Sequence, residues 1–107
     1  MKTFEEYQAL ANTVPVSLRN DRDRVDLPVL GLQDEAGKLG SLLSKAFASG
    51  TFTLTEDQSE EVRDRLGDVL WYLALLCRET GINLQALAAH SATQLTERSK
   101  GFDTDRR

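Results

Sequence analysis

The sequence has few of the residues that mark secreted or membrane-spanning proteins. Its one cysteine, Cys77, excludes an intramolecular disulfide and favours a reducing compartment. The longest apolar run, residues 69–77, is far shorter than the ~20 residues needed to cross a bilayer. Residues 1–7 lack the apolar segment of a signal peptide. We therefore expect a cytoplasmic protein with no membrane partner.

Basic residues are also too few for a surface that binds nucleic acid. The chain has 13 Lys and Arg against 17 Asp and Glu, a net charge of −4, so we expect no nucleic-acid partner. Its 107 residues, 40% of them hydrophobic, predict one small domain over residues 1–107. Because so small a chain has little core, we expect it to complete that core as a homo-oligomer.

Helical periodicity dominates the sequence, and no segment favours a strand. Apolar stripes predict four helices, at about residues 3–14, 29–49, 56–80 and 83–98. Thr3 and Thr55 each begin a capping-box pattern, Gly81 is typical of a helix end, and Asn83 is a good N-cap. The predicted fold is an all-α four-helix bundle.

Two polar stretches are expected to lie outside these helices. Residues 16–27, rich in Arg and Asp, predict an exposed connection that ends at Pro28, and residues 100–107 predict a frayed polar tail. Within the second helix, Gly37 and Gly40 each cost about 1 kcal/mol relative to Ala. Such glycines indicate that another backbone or a ligand approaches closely.

Charged residues form one row on each of the two central helices. At 100° per residue, Glu35, Lys38 and Lys45 lie on one flank of the second helix. The corresponding row of the third helix contains Glu61, Arg65, Asp68 and Tyr72. If the apolar stripes pack together, the two rows border one groove, where bundles commonly build carboxylate metal sites.

The rows allow two interpretations. Glu35 and Asp68 could hold Mg²⁺, which prefers oxygen ligands and neutralises a substrate phosphate. Alternatively, cations neutralise the acids, because the rows hold three acids and three bases. Charge balance favours ion pairs. Asp68 begins an apolar run and therefore needs either a metal or Arg65 as its partner.

Residues 66–74, Leu-Gly-Asp-Val-Leu-Trp-Tyr-Leu-Ala, resemble a motif of the MazG-like nucleoside triphosphate pyrophosphohydrolases. The similarity spans roughly residues 4–98 and includes residues 6–8, 31–32 and 35–37. It implies an all-α fold that hydrolyses a nucleoside triphosphate to the monophosphate and pyrophosphate. It also implies bound Mg²⁺ and assembly as a dimer or tetramer with sites near subunit interfaces.

The resemblance assigns roles by position. Relatives hold Mg²⁺ with E-x-x-E on one helix and E-x-x-D on the next, which makes Glu35 and Asp68 the candidate catalytic and metal-binding residues. Lys38 and Arg65 stand in place of the other two acids, which should severely weaken Mg²⁺ binding in the family's manner. Lys45 matches a frequent lysine of the second helix.

Three functions remain open from the sequence. In an active enzyme with a rearranged site, Asp34, Glu61 and Asp64 are candidate substitutes for the missing acids. In a non-catalytic relative, cations bind a nucleotide phosphate directly; these are Lys38, Lys45, Arg65 and Arg98, the last matching an arginine of the family's fourth helix. In a helical interaction module, the groove is only a salt-bridged packing feature.

Overall fold

The chain folds into four helices. In a computed structural model, the backbone is described for residues 1–105 and the side chains for residues 1–101. The helices are α1 (Phe4–Thr13), α2 (Asp23–Ala46), α3 (Glu56–Thr80) and α4 (Leu84–Asp105), and residues 1–105 contain no strand. α3 packs against α2 and α1, and α4 packs against α1. The prediction of an all-α four-helix bundle is confirmed.

The predicted helix ends are formed by local hydrogen bonds. Thr3 accepts a hydrogen bond from the backbone three residues further on, at 3.1 Å. Thr55 and Gln58 make both bonds of a capping box, at 3.2 and 2.9 Å. Gly81 ends α3 with φ +70°, and Asn83 accepts a bond from the first turn of α4 at 2.9 Å. The predictions at Thr55, Gly81 and Asn83 are confirmed, whereas the capping box at Thr3 is only half formed, because Glu6 accepts from the backbone N–H of Lys2 instead.

The predicted start of α2 was wrong, because the helix begins at Asp23 and contains Pro28. Asp23, only 3% exposed, holds the first turn together. Its carboxylate accepts from the backbone N–H of Arg19 at 2.9 Å and from Arg19 Nε at 3.2 Å, and its own N–H donates to Asn20 Oδ1 at 3.1 Å. This cluster and the burial of Pro28 offset the loss of the helical hydrogen bond that proline cannot donate.

Two other predicted boundaries also change. α2 ends at Ala46 rather than at residue 49, and its C-cap is Phe47. α4 continues through Asp105, so the polar tail expected to fray after residue 100 is helical as far as that residue. Residues 106 and 107 lie outside the described part of the chain.

The hydrogen bonds of the Asp23 carboxylate predict that the start of α2 loses stability in acid. Hydrogen bonds from Arg19 hold the pKa of Asp23 below its ordinary value of 3.8. A lowered folded-state pKa stabilises the fold above pH 3.8, and this contribution is lost as the pH falls through the folded-state pKa. We expect Asp23→Asn to lower the melting temperature at pH 7 and to flatten the acid limb of its pH dependence. Asp57→Asn, in the first turn of α3, is the control; an equal loss there would contradict the special role of Asp23.

The core is small and lies between α1, α3 and the start of α4. It consists of buried residues and a ring of partly buried ones: Ala11, Ala74, Cys77 and Leu84, with Tyr7, Trp71, Leu73 and Leu87 packed around them. Burial raises the pKa of the Cys77 thiol, in keeping with the packing role expected for it. Among the described residues, no helix is both long enough and apolar enough to span a bilayer.

Within the protomer, the close approach to a glycine of α2 is at Gly31, whereas no other part of the described chain approaches Gly37 or Gly40. Within the described protomer, a Cβ at either position would have no atom within 4 Å. At Gly31 a Cβ would overlap the Tyr72 ring. Gly31 therefore lets the aromatic ring of α3 lie directly on the backbone of α2.

Candidate functional site

α2 and α3 run antiparallel, and their charged rows face each other. An ion pair between the two helices joins the rows: Arg65 Nη1 donates to Glu35 Oε2 at 3.2 Å and to Oε1 at 3.4 Å. Glu35 is only 6% exposed, so its carboxylate depends on this cation. The hydrogen bond to Glu35 is the main cause of a raised pKa at Arg65.

Further contacts extend this ion pair into a network. Lys38 Nζ lies 2.8 Å from Asp34 Oδ2 and 3.8 Å from Glu35 Oε1. The hydrogen bond to Asp34 is the largest cause of a raised pKa at Lys38. Arg65 Nη2 lies 4.0 Å from Glu61 Oε1. Two of the candidate substitute acids, Asp34 and Glu61, are therefore already beside cations.

Asp68 does not pair directly with Arg65, which was one of its two expected partners. The guanidinium of Arg65 reaches across to Glu35 instead, and within the described part of the chain Asp68 has no hydrogen bond or ion pair. Asp68 is only partly buried, so water can solvate its carboxylate. Its charge acts at longer range, since after burial it is the second cause of a raised pKa at Tyr7.

Two clefts open on either side of Arg65. The first, which we term the basic cleft, has a volume of about 360 Å³ and is lined by Lys38, Ser41, Leu42, Lys45, Glu61 and Arg65. The second, the acidic cleft, has a volume of about 550 Å³ and is lined by Glu61, Arg63, Asp64, Arg65, Gly67 and Asp68. Three cations face one acid in the basic cleft, whereas three acids face two cations in the acidic cleft.

The structure brings most of the predicted site residues to these clefts. Asp64 and Asp68 line the acidic cleft, and Glu35 lies beside Arg65. Arg98 does not line either cleft and is exposed on the second half of α4. Sequence reasoning missed Ser41, although it follows Lys38 by three residues and so shares its flank of α2.

The arrangement of donors does not fit Mg²⁺ held in the family's manner. The carboxylate oxygens of Glu35 already accept from Arg65 and lie beside Lys38. In the described residues, no three His, Cys, Asp or Glu side chains come close enough to share a metal ion. Magnesium prefers oxygen ligands in octahedral geometry, and a guanidinium at the same carboxylate opposes its charge.

No protein-family model matches the chain. No solved structure matches it either. The Gene 37 protein of Mycobacterium phage L5 is 26% identical to it over 69 residues, which cover 64% of this chain and 60% of that protein. The chain thus spans about three fifths of this relative, whose name states no activity, ligand or partner.

Proposed function

We propose that this protein is a MazG-like relative of the nucleotide pyrophosphohydrolases that binds nucleotide phosphates without Mg²⁺. In this proposal the Glu35–Arg65 ion pair stands in place of the family's metal. The observation that carries it is the convergence of Lys38, Lys45 and Arg65 on the basic cleft.

The basic cleft has hydrogen-bond donors and positive charge that are available to bind an anion. Lys45 is exposed and makes no hydrogen bond or ion pair with the described residues. Arg65 has five N–H donors, and its two bonds to Glu35 both come from Nη1. Ser41 adds a hydroxyl. Lysine acts on phosphate as a point charge and arginine as a planar fork, so the set suits adjacent phosphate groups.

The size of the basic cleft suits phosphates better than a whole nucleotide. Its volume of about 360 Å³ lies at the lower end of small-ligand pockets. Five of its six lining residues are polar or charged and none is aromatic, so no lining residue stacks on a base. The proposal therefore places a diphosphate or triphosphate in the cleft and leaves the nucleoside outside.

The acidic cleft supports a second candidate function, Mg²⁺-dependent hydrolysis at a rearranged site. Asp68, without an ion pair among the described residues, shares this cleft with Asp64 and Glu61. Hydrolysis would require these acids to converge further on a metal than they do in this arrangement. Magnesium-dependent release of pyrophosphate from a nucleoside triphosphate would favour this candidate over metal-free binding.

Lys45→Gln tests the basic cleft. We expect calorimetry in EDTA at low ionic strength to show binding of pyrophosphate and of a nucleoside triphosphate. Removing the Lys45 charge should weaken both at least about tenfold, because a charge-assisted hydrogen bond is worth about 1.5–3 kcal/mol. Lys2→Gln makes the same charge change at an exposed residue outside both clefts and should leave affinity unchanged. Absence of binding in EDTA, or equal losses in both variants, would overturn the proposal.

The proposed assembly is a cytoplasmic homo-oligomer, a dimer or a tetramer. Large apolar side chains exposed on every helix support it; they include Leu10, Val14, Leu30, Leu66 and Leu95. Contiguous exposed apolar surface commonly marks an interaction site. A substrate-binding role for Arg98, which lies outside both clefts, depends on this assembly.

A further inference from the structure

The second half of α4 extends beyond the rest of the molecule. At its start, Leu84 is buried and Leu87 and Ala88 are half-buried, where the helix packs against α1. Every described side chain from residue 89 to residue 101, a segment we term distal α4, is exposed. An isolated helix of this length is marginal in water, so packing by another element is needed to stabilise it.

The apolar stripe of α4 continues into this uncovered segment. Leu84, Ala88, Ser91 and Leu95 are spaced by four, three and four residues, which places them on one face. The stripe is buried at Leu84, whereas Leu95 is 57% exposed. Small residues surround Leu95, namely Ser91, Ala92 and Ser99, and they allow a second helix to approach closely.

The accessible surface area of the protomer is larger than that of a compact monomer, and the excess indicates how much surface a partner would bury. Its accessible surface is 8019 Å², against roughly 6,000 Å² for a compact monomer of 11.9 kDa. The radius of gyration is 17.2 Å, against about 13 Å. The excess of about 2,000 Å² is larger than the ~800 Å² that each partner buries in a standard interface. A second copy of the chain is large enough to cover it.

We propose that distal α4 is the contact surface of a symmetric homodimer, with Leu95 at its centre and a second copy as its occupant. The proposal names the surface of the homo-oligomer proposed above and rests on that assembly, but it is independent of the basic cleft. A two-fold interface uses the same patch on both copies. Distal α4 carries both signs of charge, in Glu97 and in Arg98 and Lys100, so two copies do not simply repel each other.

Leu95→Asp tests this surface by sedimentation and light scattering across a concentration series. Wild-type chain should have a mass of twice 11.9 kDa, or four times if dimers pair. Leu95→Asp should raise the dissociation constant of the α4 contact at least tenfold, because interface centres carry most of the binding energy. Thr93→Asp adds the same charge on the opposite face of α4 and should associate like wild type. Circular dichroism of each variant separates loss of association from loss of helix.

Each outcome decides a different part of the proposal. A wild-type mass of 11.9 kDa at high concentration would overturn the homo-oligomer itself. An oligomer that Leu95→Asp leaves intact, or that Thr93→Asp disrupts equally, would overturn distal α4 as its surface. Pyrophosphate binding by monomeric Leu95→Asp, measured in EDTA, shows separately whether the basic cleft works without the dimer.

Discussion

Replacing Lys38 and Arg65 together by glutamate is expected to abolish metal-free pyrophosphate binding and to create Mg²⁺ binding. The change converts the basic cleft from three cations and one acid to one cation and three acids. Reversing two charges in contact with a phosphate should weaken pyrophosphate binding at least about a hundredfold. The variant would also carry acids at all four positions of the MazG-like motif that the sequence resembles, with Glu35 and Asp68 as the pair already present.

The same variant should become dependent on a metal for its stability. Without Arg65, the carboxylate of Glu35 stays between α2 and α3 with its main cation removed, which strongly disfavours the folded state. Magnesium bound to the folded form restores stability by mass action. Adding Mg²⁺ should therefore raise the melting temperature of the double variant and leave that of wild type unchanged.

Thermal unfolding with and without Mg²⁺, together with calorimetry for both ligands, checks these outcomes. The control is Lys2→Glu with Arg24→Glu, which changes the net charge equally at two exposed positions outside both clefts and outside distal α4. Unchanged pyrophosphate affinity in the Lys38 and Arg65 variant would exclude the basic cleft as the phosphate site. Absence of stabilisation by Mg²⁺ would argue against a MazG-like metal site beneath the ion pair.

Local sequence signals predicted most of the fold and failed where the fold depends on distant contacts. Thr55 and Gly81 define the ends of α3 through bonds to close neighbours, and the predicted bounds match Glu56–Thr80. The start of α2 was missed because proline usually ends a helix. Here the burial of Pro28, which depends on tertiary packing, outweighs that tendency together with the Arg19–Asp23 contact, a local pair that the sequence prediction did not include.

The sequence predicted which face of its helix each candidate site residue occupies, but it was less accurate about which residues form ion pairs. A period of 100° per residue correctly put Glu35 and Arg65 on facing rows. Spacing along one helix also suggested that Arg65 pairs with Asp68, but the guanidinium reaches Glu35 on α2 instead. That choice depends on how closely the two helices approach, which periodicity does not determine.

The approach of α2 to α3 depends on Gly31, and Gly31→Ala is expected to destabilise the fold by up to about 2 kcal/mol. A methyl group there would overlap the Tyr72 ring, which lies against Trp71 with 5.2 Å between ring centroids. Overpacking of this kind costs about 1–3 kcal/mol, against a gain of about 1 kcal/mol from the better helix propensity of alanine. Gly37→Ala gives the same gain in α2 without a contact, because its Cβ would have no atom within 4 Å.

Chemical denaturation of the two alanine variants therefore isolates the close contact. We expect Gly37→Ala to raise the midpoint and Gly31→Ala to lower it, with the denaturant dependence unchanged in both. Combining Gly31→Ala with Tyr72→Ala should recover part of the loss, and the coupling free energy of that double-mutant cycle measures the contact. Equal stabilisation by both glycine substitutions would mean that the ring moves aside without cost. In that case the spacing that lets Arg65 reach Glu35 must be set elsewhere along α2 and α3.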